Sequence, residues 1–138
     1  ALRGTLFDQA EVLAEAGPVL KSAGVTERVD IVSGSFFDKD CIPAGADVYM
    51  MKNIIHDWDD DDSETILRRV GEAMGNSGST LLILDIVRGS RGAYEPWNLD
   101  FADFFDLNML VTVGGRERSR GEWDALLSRA GMKLVKVF

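Results

Sequence analysis

Apolar residues gather in short runs along the chain, and these runs predict β-strands. Four of them cover residues 2–8, 28–34, 46–53 and 79–87, and the last is the most continuous. A further apolar run at 132–138 predicts a final strand. Near-continuous apolar strands, rather than alternating ones, are typical of a parallel sheet that is covered on both faces.

Helical periodicity fills the intervals between these runs. Apolar residues recur at helical spacing from Val12 to Ala23, with a kink or restart expected at Gly17-Pro18 and an end at Gly24. A second helix is predicted from about Ser63 to Met74. Strands and helices therefore alternate, which indicates an α/β domain.

The later part of the chain carries two more helix signals. Residues 99–113 are apolar on most sides, which predicts a helix buried against a ligand or a partner, after a loop over 88–97. Ser119 and Glu122 form a capping box ahead of a last helix that Gly131 ends. With no linker or repeat in the sequence, we expect one domain over 1–138.

Charge and composition exclude several classes of function. The net charge of −8 argues against a nucleic-acid-binding surface, which needs clustered Lys and Arg. No apolar stretch approaches the ~20 residues of a membrane helix, so no membrane association is expected. The single cysteine, Cys41, fits a reducing cytoplasm. The chain starts without methionine and ends in an apolar run, so it reads as a piece of something longer.

The residues that follow the predicted strands are the first site candidates. In parallel α/β sheets, ligands bind outside the carboxyl ends of the strands. Four positions or segments meet this condition: Asp8, residues 34–37, residues 52–58 and Asp85. The only histidine, His56, lies in the third of them. Taken alone, it could be a proton acceptor near neutral pH or a satisfied histidine at a strand end.

Four consecutive aspartates, Asp59 to Asp62, follow this histidine. Adjacent aspartates point in different directions, and their spacing is not that of a calcium loop. Acids at the start of the predicted 63–74 helix stabilise its positive end. We therefore expect helix capping and no metal site.

Five segments together resemble the S-adenosylmethionine-dependent O-methyltransferases of the plant caffeate/flavonoid type and their bacterial relatives, which methylate natural products. They occur in the family's order: TLFDQAEV (5–12), RVDIVSGSFFD (28–38), ADVYMMKNIIHDWDDDD (46–62), LLILDIV (81–87) and GGRERS (114–119). The combination of HDW with a later GGRER is the specific part of the resemblance, which covers nearly the whole chain.

The resemblance implies a Rossmann-like class I methyltransferase sheet with helices on both faces. This chain would be the C-terminal catalytic and cofactor-binding part of such an enzyme. The first strand with its glycine-rich loop, the helical dimerisation domain and the last strand of the family are expected to be missing from it. The full-length enzyme would be a cytoplasmic homodimer.

The resemblance also assigns the catalytic residues. His56 matches the family's general base, which removes the proton of the acceptor hydroxyl without a metal ion. Glu117 matches one of two carboxylates that hold the imidazole. Asp85 stands where relatives have a glutamate as the second carboxylate. Plain structural roles stay open for both acids.

Binding residues follow from the same comparison. Asp8 matches the acid that binds the ribose of S-adenosylmethionine, Phe36 lies where a residue packs on adenine, and Lys52 matches a lysine near the cofactor. Ser35 departs from the aspartate that is common in relatives. Asp57 is a candidate contact of the acceptor, and the 99–113 helix is expected to line the acceptor pocket with Phe101, Phe104, Phe105, Asn108 and Met109. Core packing is the alternative role for each of these five residues.

Two alternatives remain at the level of the sequence. A nicotinamide-dependent oxidoreductase fits the strand–helix alternation and Asp8, but the strand ends lack a tyrosine–lysine pair. An inactive methyltransferase-like fragment is the other, because the implied sheet would have a gap at its centre between the 2–8 and 46–53 strands.

Overall fold

The computed structural model describes residues 2–89 and 101–138. In chain order its elements are β1 (Gly4–Asp8), α1 (Ala10–Leu13), α2 (Ala16–Ser22), β2 (Val29–Ser33), β3 (Val48–Lys52), α3 (Asp60–Met74), β4 (Thr80–Leu84), β5 (Val87–Arg88), α4 (Phe101–Thr112), β6 (Arg118–Ser119) and α5 (Arg120–Arg129). Single 3-10 turns occupy Thr26–Arg28 and Ile55–Asp57. Most of the predicted 88–97 loop, and the first two residues of the predicted 99–113 helix, lie outside the described residues.

The paired strands are parallel, as the sequence predicted, but among the described residues they form three two-stranded pairs and not one continuous sheet. β1 pairs with β2, β3 with β4, and β5 with β6. The register sets Asp8 opposite Ser33 and Lys52 opposite Leu84. The carboxyl ends within each pair therefore lie side by side, which brings together the candidates that follow them.

The core lies between the β3–β4 pair and the helices α3 and α5. Its buried part consists of Ile55, Ile66, Leu67, Trp123, Leu126 and Leu127. Met51, Leu81 and Ile83 pack against it from the strands. Because side chains alternate across a strand, the intervening residues point to the opposite face. There Val48, Met50, Leu82 and Leu84 are 38–65% exposed, so among the described residues helices cover one face of this pair.

Two predicted elements differ from the structure. The first helix breaks at Ala14 and Glu15, before Gly17-Pro18, because Pro18 lies in the first turn of α2, where a missing N–H is tolerated. The predicted strand at 132–138 is wrong. Met132 and Leu134 still pack on the core, but the segment pairs with no described strand, and Phe138 is 99% exposed.

Capping at the two long core helices agrees with the sequence. Asp59 accepts hydrogen bonds from the amides of Asp61 and Asp62, so α3 begins at Asp60, three residues earlier than expected. Ser119 and Glu122 form the predicted capping box at α5. Within the described ranges, no helix is both long and apolar enough to cross a membrane.

Candidate active site

His56 is held on a short turn at the carboxyl end of β3. The chain leaves the strand through Asn53, which has a left-handed φ of 53° that asparagine tolerates better than most residues. The 3-10 turn Ile55–Asp57 follows. Ile55 is fully buried in the core and anchors this turn, so the neighbouring His56 is also buried, with 8% of its surface exposed. The sequence predicted this location at the strand edge.

The imidazole of His56 is hydrogen-bonded to a buried carboxylate. Its Nδ1 lies 2.9 Å from Oε1 of Glu117, whose side chain is fully buried. A carboxylate accepts hydrogen bonds, so Nδ1 carries the proton of the neutral ring and Nε2 keeps its lone pair. Nε2 lies 3.5 Å from Oδ1 of Asp57, which is partly exposed. The ring can therefore accept a proton at Nε2 while Glu117 stabilises the resulting cation.

Three contacts bring Glu117 to the histidine. β5 pairs with β6, which starts one residue after Glu117. Oδ1 of Asp106 on α4 accepts the amide of Glu117 at 2.8 Å. The other oxygen of Asp106 accepts a hydrogen bond from Arg88 of β5. Burial raises the pKa of the Glu117 carboxyl, and the hydrogen bond from His56 offsets only part of that rise.

The two glycines of the GGRER segment let it lie directly against the histidine turn. Gly114 has a φ of 78°, a left-handed conformation that favours glycine. At Gly115 a Cβ atom would stand 2.0 Å from the carbonyl oxygen of His56. The next amide, that of Arg116, donates to this carbonyl at 2.8 Å. The left-handed backbone at Gly114 and the direct backbone contact with the turn at Gly115 therefore explain why this motif has two glycines.

Arg118 is a component of the site to which the sequence assigned no role. The residue is 1% exposed, although it lies in a polar segment that gives no signal of burial. Its guanidinium donates to the carbonyls of Ile55 and Trp58, at 3.0 and 2.9 Å, and to the carboxylate of Asp60. It therefore holds the turn that carries the histidine.

Asp85 lies close to the same turn, directly after β4. Its Oδ1 accepts the amide of Asn53 at 2.8 Å, and its Oδ2 is buried without a partner among the described residues. Burial raises the pKa of the Asp85 carboxyl, and the nearby charge of His56 offsets this only in part. Asp85 thus lies next to the histidine turn, and its carboxylate accepts a hydrogen bond from the backbone amide of Asn53.

We expect Asp85→Asn to raise the free energy of unfolding near neutral pH. The pKa of Asp85 is higher in the folded than in the unfolded chain. As the pH rises above the ordinary value of 3.8, the unfolded chain ionises first, so this group lowers stability until the folded carboxyl also ionises. Asp85→Asn removes this loss of stability. Thermal melting of the variant and of the unmodified protein, from acid to neutral pH, measures the difference. The exposed carboxyl of Asp124 supplies the control, Asp124→Asn. An equal response of both variants would contradict the prediction.

An open cleft of about 430 Å³ lies at the carboxyl ends of β1 and β2. It is lined by Gln9, Ala10, Glu11, Ser33, Gly34 and Ser35. Asp8 directly precedes the lining residue Gln9, and its Oδ1 accepts the amide of Gln9 at 2.7 Å. The hydroxyl of Ser35 accepts the amide of Phe37 at 3.2 Å. The volume is in the range of small-molecule sites, and one of the predicted cofactor residues, Ser35, lines the cleft.

The remaining candidates lie outside this cleft's lining. Phe36 packs edge-on against Phe37 and Trp58, with ring centroids 5.0 and 5.8 Å apart. Lys52 is exposed at the end of β3. On α4, Phe105 and Met109 are half-buried, and Phe104 and Asn108 are exposed. The side chain of Phe101 is outside the described part of the molecule.

Comparison with known proteins gives a consistent result. Residues 1–133 match the family model of the O-methyltransferase domain. The mitomycin biosynthesis 6-O-methyltransferase of Streptomyces lavendulae is 44% identical over 98% of this chain. The 8-amino-8-demethylriboflavin N,N-dimethyltransferase of Streptomyces davaonensis is 40% identical over 97% of it.

Solved structures agree with these sequence matches. An O-methyltransferase from neocarzinostatin biosynthesis, in complex with S-adenosylmethionine and 2-hydroxy-5-methyl naphthoic acid, superposes with a TM-score of 0.82. It is 36% identical and covers 98% of this chain. The chain spans 36% of the length of both enzymes above and 37% of the solved structure.

Proposed function

This chain belongs to the O-methyltransferase family, and on that premise we propose that it carries the base and part of the cofactor site of a complete enzyme. That enzyme would transfer a methyl group from S-adenosylmethionine to a hydroxyl group of a small aromatic natural product. The observation that carries the proposal is the buried contact of 2.9 Å between Nδ1 of His56 and Oε1 of Glu117, which leaves Nε2 as a proton acceptor.

The proposed cofactor site fits S-adenosylmethionine in size and chemistry. The cleft of about 430 Å³ can hold a nucleoside. Asp8 beside it is a carboxylate with acceptor capacity beyond its bond to Gln9, which suits the hydroxyls of a ribose. Ser35 lines the same cleft, and its hydroxyl would bind the adenine of the cofactor. When bound, the cofactor supplies an electrophilic methyl group on a sulfonium.

His56 would deprotonate the acceptor. The proton of the acceptor hydroxyl moves to Nε2, and the charge on the ring is stabilised by Glu117 and by the nearby carboxyl of Asp85. Asp57, 3.5 Å from Nε2, would contact the acceptor hydroxyl as it approaches. No metal ion is needed in this scheme. Among the described residues, no group of three or more potential ligands is placed to hold one.

The apolar helix α4 is proposed to line the acceptor pocket. Its Asp106 holds the amide of Glu117, so the helix lies next to the base. Phe105, Asn108 and Met109 lie three and four residues apart and share a face of the helix. An aromatic ring and a thioether suit a flat ring system, and the solved relative holds a naphthoic acid.

One relative is named for an amino group as acceptor. A neutral aromatic amine has its lone pair available before it loses a proton. A phenol, with a pKa near 10, becomes a much better nucleophile once a base has removed its proton. The buried His56–Glu117 pair therefore favours a hydroxyl acceptor for this chain.

Calorimetric titration of the protein with S-adenosylhomocysteine tests the cofactor site. We expect binding that Asp8→Asn weakens by about 10-fold to 100-fold, because hydrogen bonds to a charged acceptor are lost. Asp30→Asn, on the exposed side of the neighbouring strand, should bind as the unmodified protein does. Binding of NAD in place of S-adenosylhomocysteine would overturn the proposal in favour of an oxidoreductase.

A further inference from the structure

Arg118 is buried between the histidine turn and the start of α3 and donates hydrogen bonds to both. Four acceptors surround its guanidinium: the carbonyls of Ile55 and Trp58, the hydroxyl of Ser63 and the carboxylate of Asp60. The distances are 2.8–3.1 Å, and Asp60 receives two of the donors. The group also lies 5.7 Å from the ring centroid of Trp123. An arginine presents five donors in a fixed plane, and this pocket uses most of them.

The two carbonyls that Arg118 binds stand on either side of His56. Ile55 precedes the histidine, and Trp58 ends its turn. The carbonyl of His56 itself is bound by the amide of Arg116. Three of the four carbonyls from residue 55 to residue 58 are therefore fixed by one segment. The same segment supplies Glu117, so residues 116–118 contact both the backbone around the histidine and its ring.

Stability alone does not account for a buried arginine here. A buried ion pair is often no more stable than apolar residues of the same volume. A lysine would keep the charge but could not reach four acceptors in a plane. The benefit of the guanidinium is its geometry, which fixes the turn relative to Glu117.

We propose that Arg118 is a positioning residue for the base: it fixes the 55–58 turn so that Nδ1 of His56 stays on Glu117 and Nε2 faces the acceptor. The inference rests on the proposed function for its catalytic meaning. The tautomer of the His56 ring that this inference predicts can be measured without any cofactor or acceptor.

The test uses nitrogen-15 NMR of the His56 imidazole near neutral pH, with the signal assigned by its loss in His56→Gln. The protein should show the tautomer protonated at Nδ1, with that proton protected from exchange. In Arg118→Lys we expect this signature to be lost, together with a fall in kcat of about 10²-fold and little change in KM for the cofactor. Arg129→Lys is the matched control. Arg129 also binds acids at the start of α3, Asp61 and Glu64, but it touches no carbonyl of the turn.

If Arg118→Lys fails to fold, Asp60→Asn replaces it, because Asp60 is partly exposed and its Oδ1 accepts two hydrogen bonds from the guanidinium, while its Oδ2 lies 3.6 Å from Arg116. This variant should lose part of the same signal. An unchanged tautomer and kcat in a folded variant would overturn the inference, as would equal effects of Arg129→Lys. If the tautomer depends on Arg118 but the protein methylates no acceptor, the proposed function fails and the positioning role of Arg118 stands.

Discussion

Replacement of His56 by glutamine is expected to lower kcat by about 10²-fold to 10⁴-fold, the range for loss of a general base. Glutamine can still donate a hydrogen bond to Glu117, so the buried carboxyl keeps a partner and the turn keeps its place. It cannot accept a proton at neutral pH. The affinity for S-adenosylhomocysteine should stay unchanged, since the cleft at β1 and β2 does not include His56. Steady-state rates with a hydroxynaphthoic acid as trial acceptor, and calorimetry on the same preparation, measure both quantities.

Glu117→Gln is the informative companion to this variant. Its side-chain oxygen can still accept the hydrogen bond from Nδ1, so the tautomer is retained while the stabilising charge is lost. A smaller loss of kcat is therefore expected than for His56→Gln. If His56→Gln kept most of its activity, the assignment of the base would be wrong, even with cofactor binding intact.

Gly115→Ala is expected to separate the base from its carboxylate. The added Cβ would stand 2.0 Å from the carbonyl oxygen of His56 and 2.8 Å from the Cα of Asp57, both backbone atoms that cannot turn aside. The two segments must move apart by more than about 1 Å, and a displacement of that size costs about 10² in rate. The overpacking should also lower the free energy of unfolding by about 1–3 kcal/mol. Denaturant unfolding and kcat are the two measurements.

The control for this substitution is Gly121→Ala. Gly121 lies in the first turn of α5, and a Cβ there would meet no atom within 4 Å. Alanine is a better helix former than glycine, so this variant should be as stable as the original or slightly more so. If Gly115→Ala behaved like Gly121→Ala, the close contact between the two backbones would not exist in solution.

The sequence was sufficient to predict those features of the fold that depend only on neighbouring residues, such as the ends of helices. The capping box at Ser119 and Glu122, and the aspartates at the start of α3, follow from the needs of a helix end, which adjacent residues satisfy. The parallel direction of the strands could also be predicted, because near-continuous apolar strands are typical of parallel sheets. The apolar run at 132–138 was misleading, since a strand needs a partner and the apolar pattern does not reveal whether one is present.

The residue types and the family resemblance predicted candidate residues of the site, but they did not predict which of them are buried. His56 at a strand end follows from the rule for parallel sheets. The burial of Glu117 and Arg118 does not, because charged residues in a glycine-rich loop are ordinarily solvated. Both become buried through contacts with Ile55 and His56, which are about 60 residues away along the chain. No window of local sequence contains that information.

The sequence distance between His56 and Glu117, 61 residues, has a consequence for how the site is gained and lost. A contact between such distant residues requires closure of a long loop, whose entropic cost must be met before the contact contributes anything. The proposed base is thus a property of the docked 114–119 segment and does not belong to the histidine turn by itself. Local opening of that segment would break its hydrogen bonds to the turn and to Asp60 and leave the imidazole without its carboxylate, at a lower cost than unfolding the core of α3 and α5. Catalytic competence would then disappear under mild heat or denaturant before the helices melt.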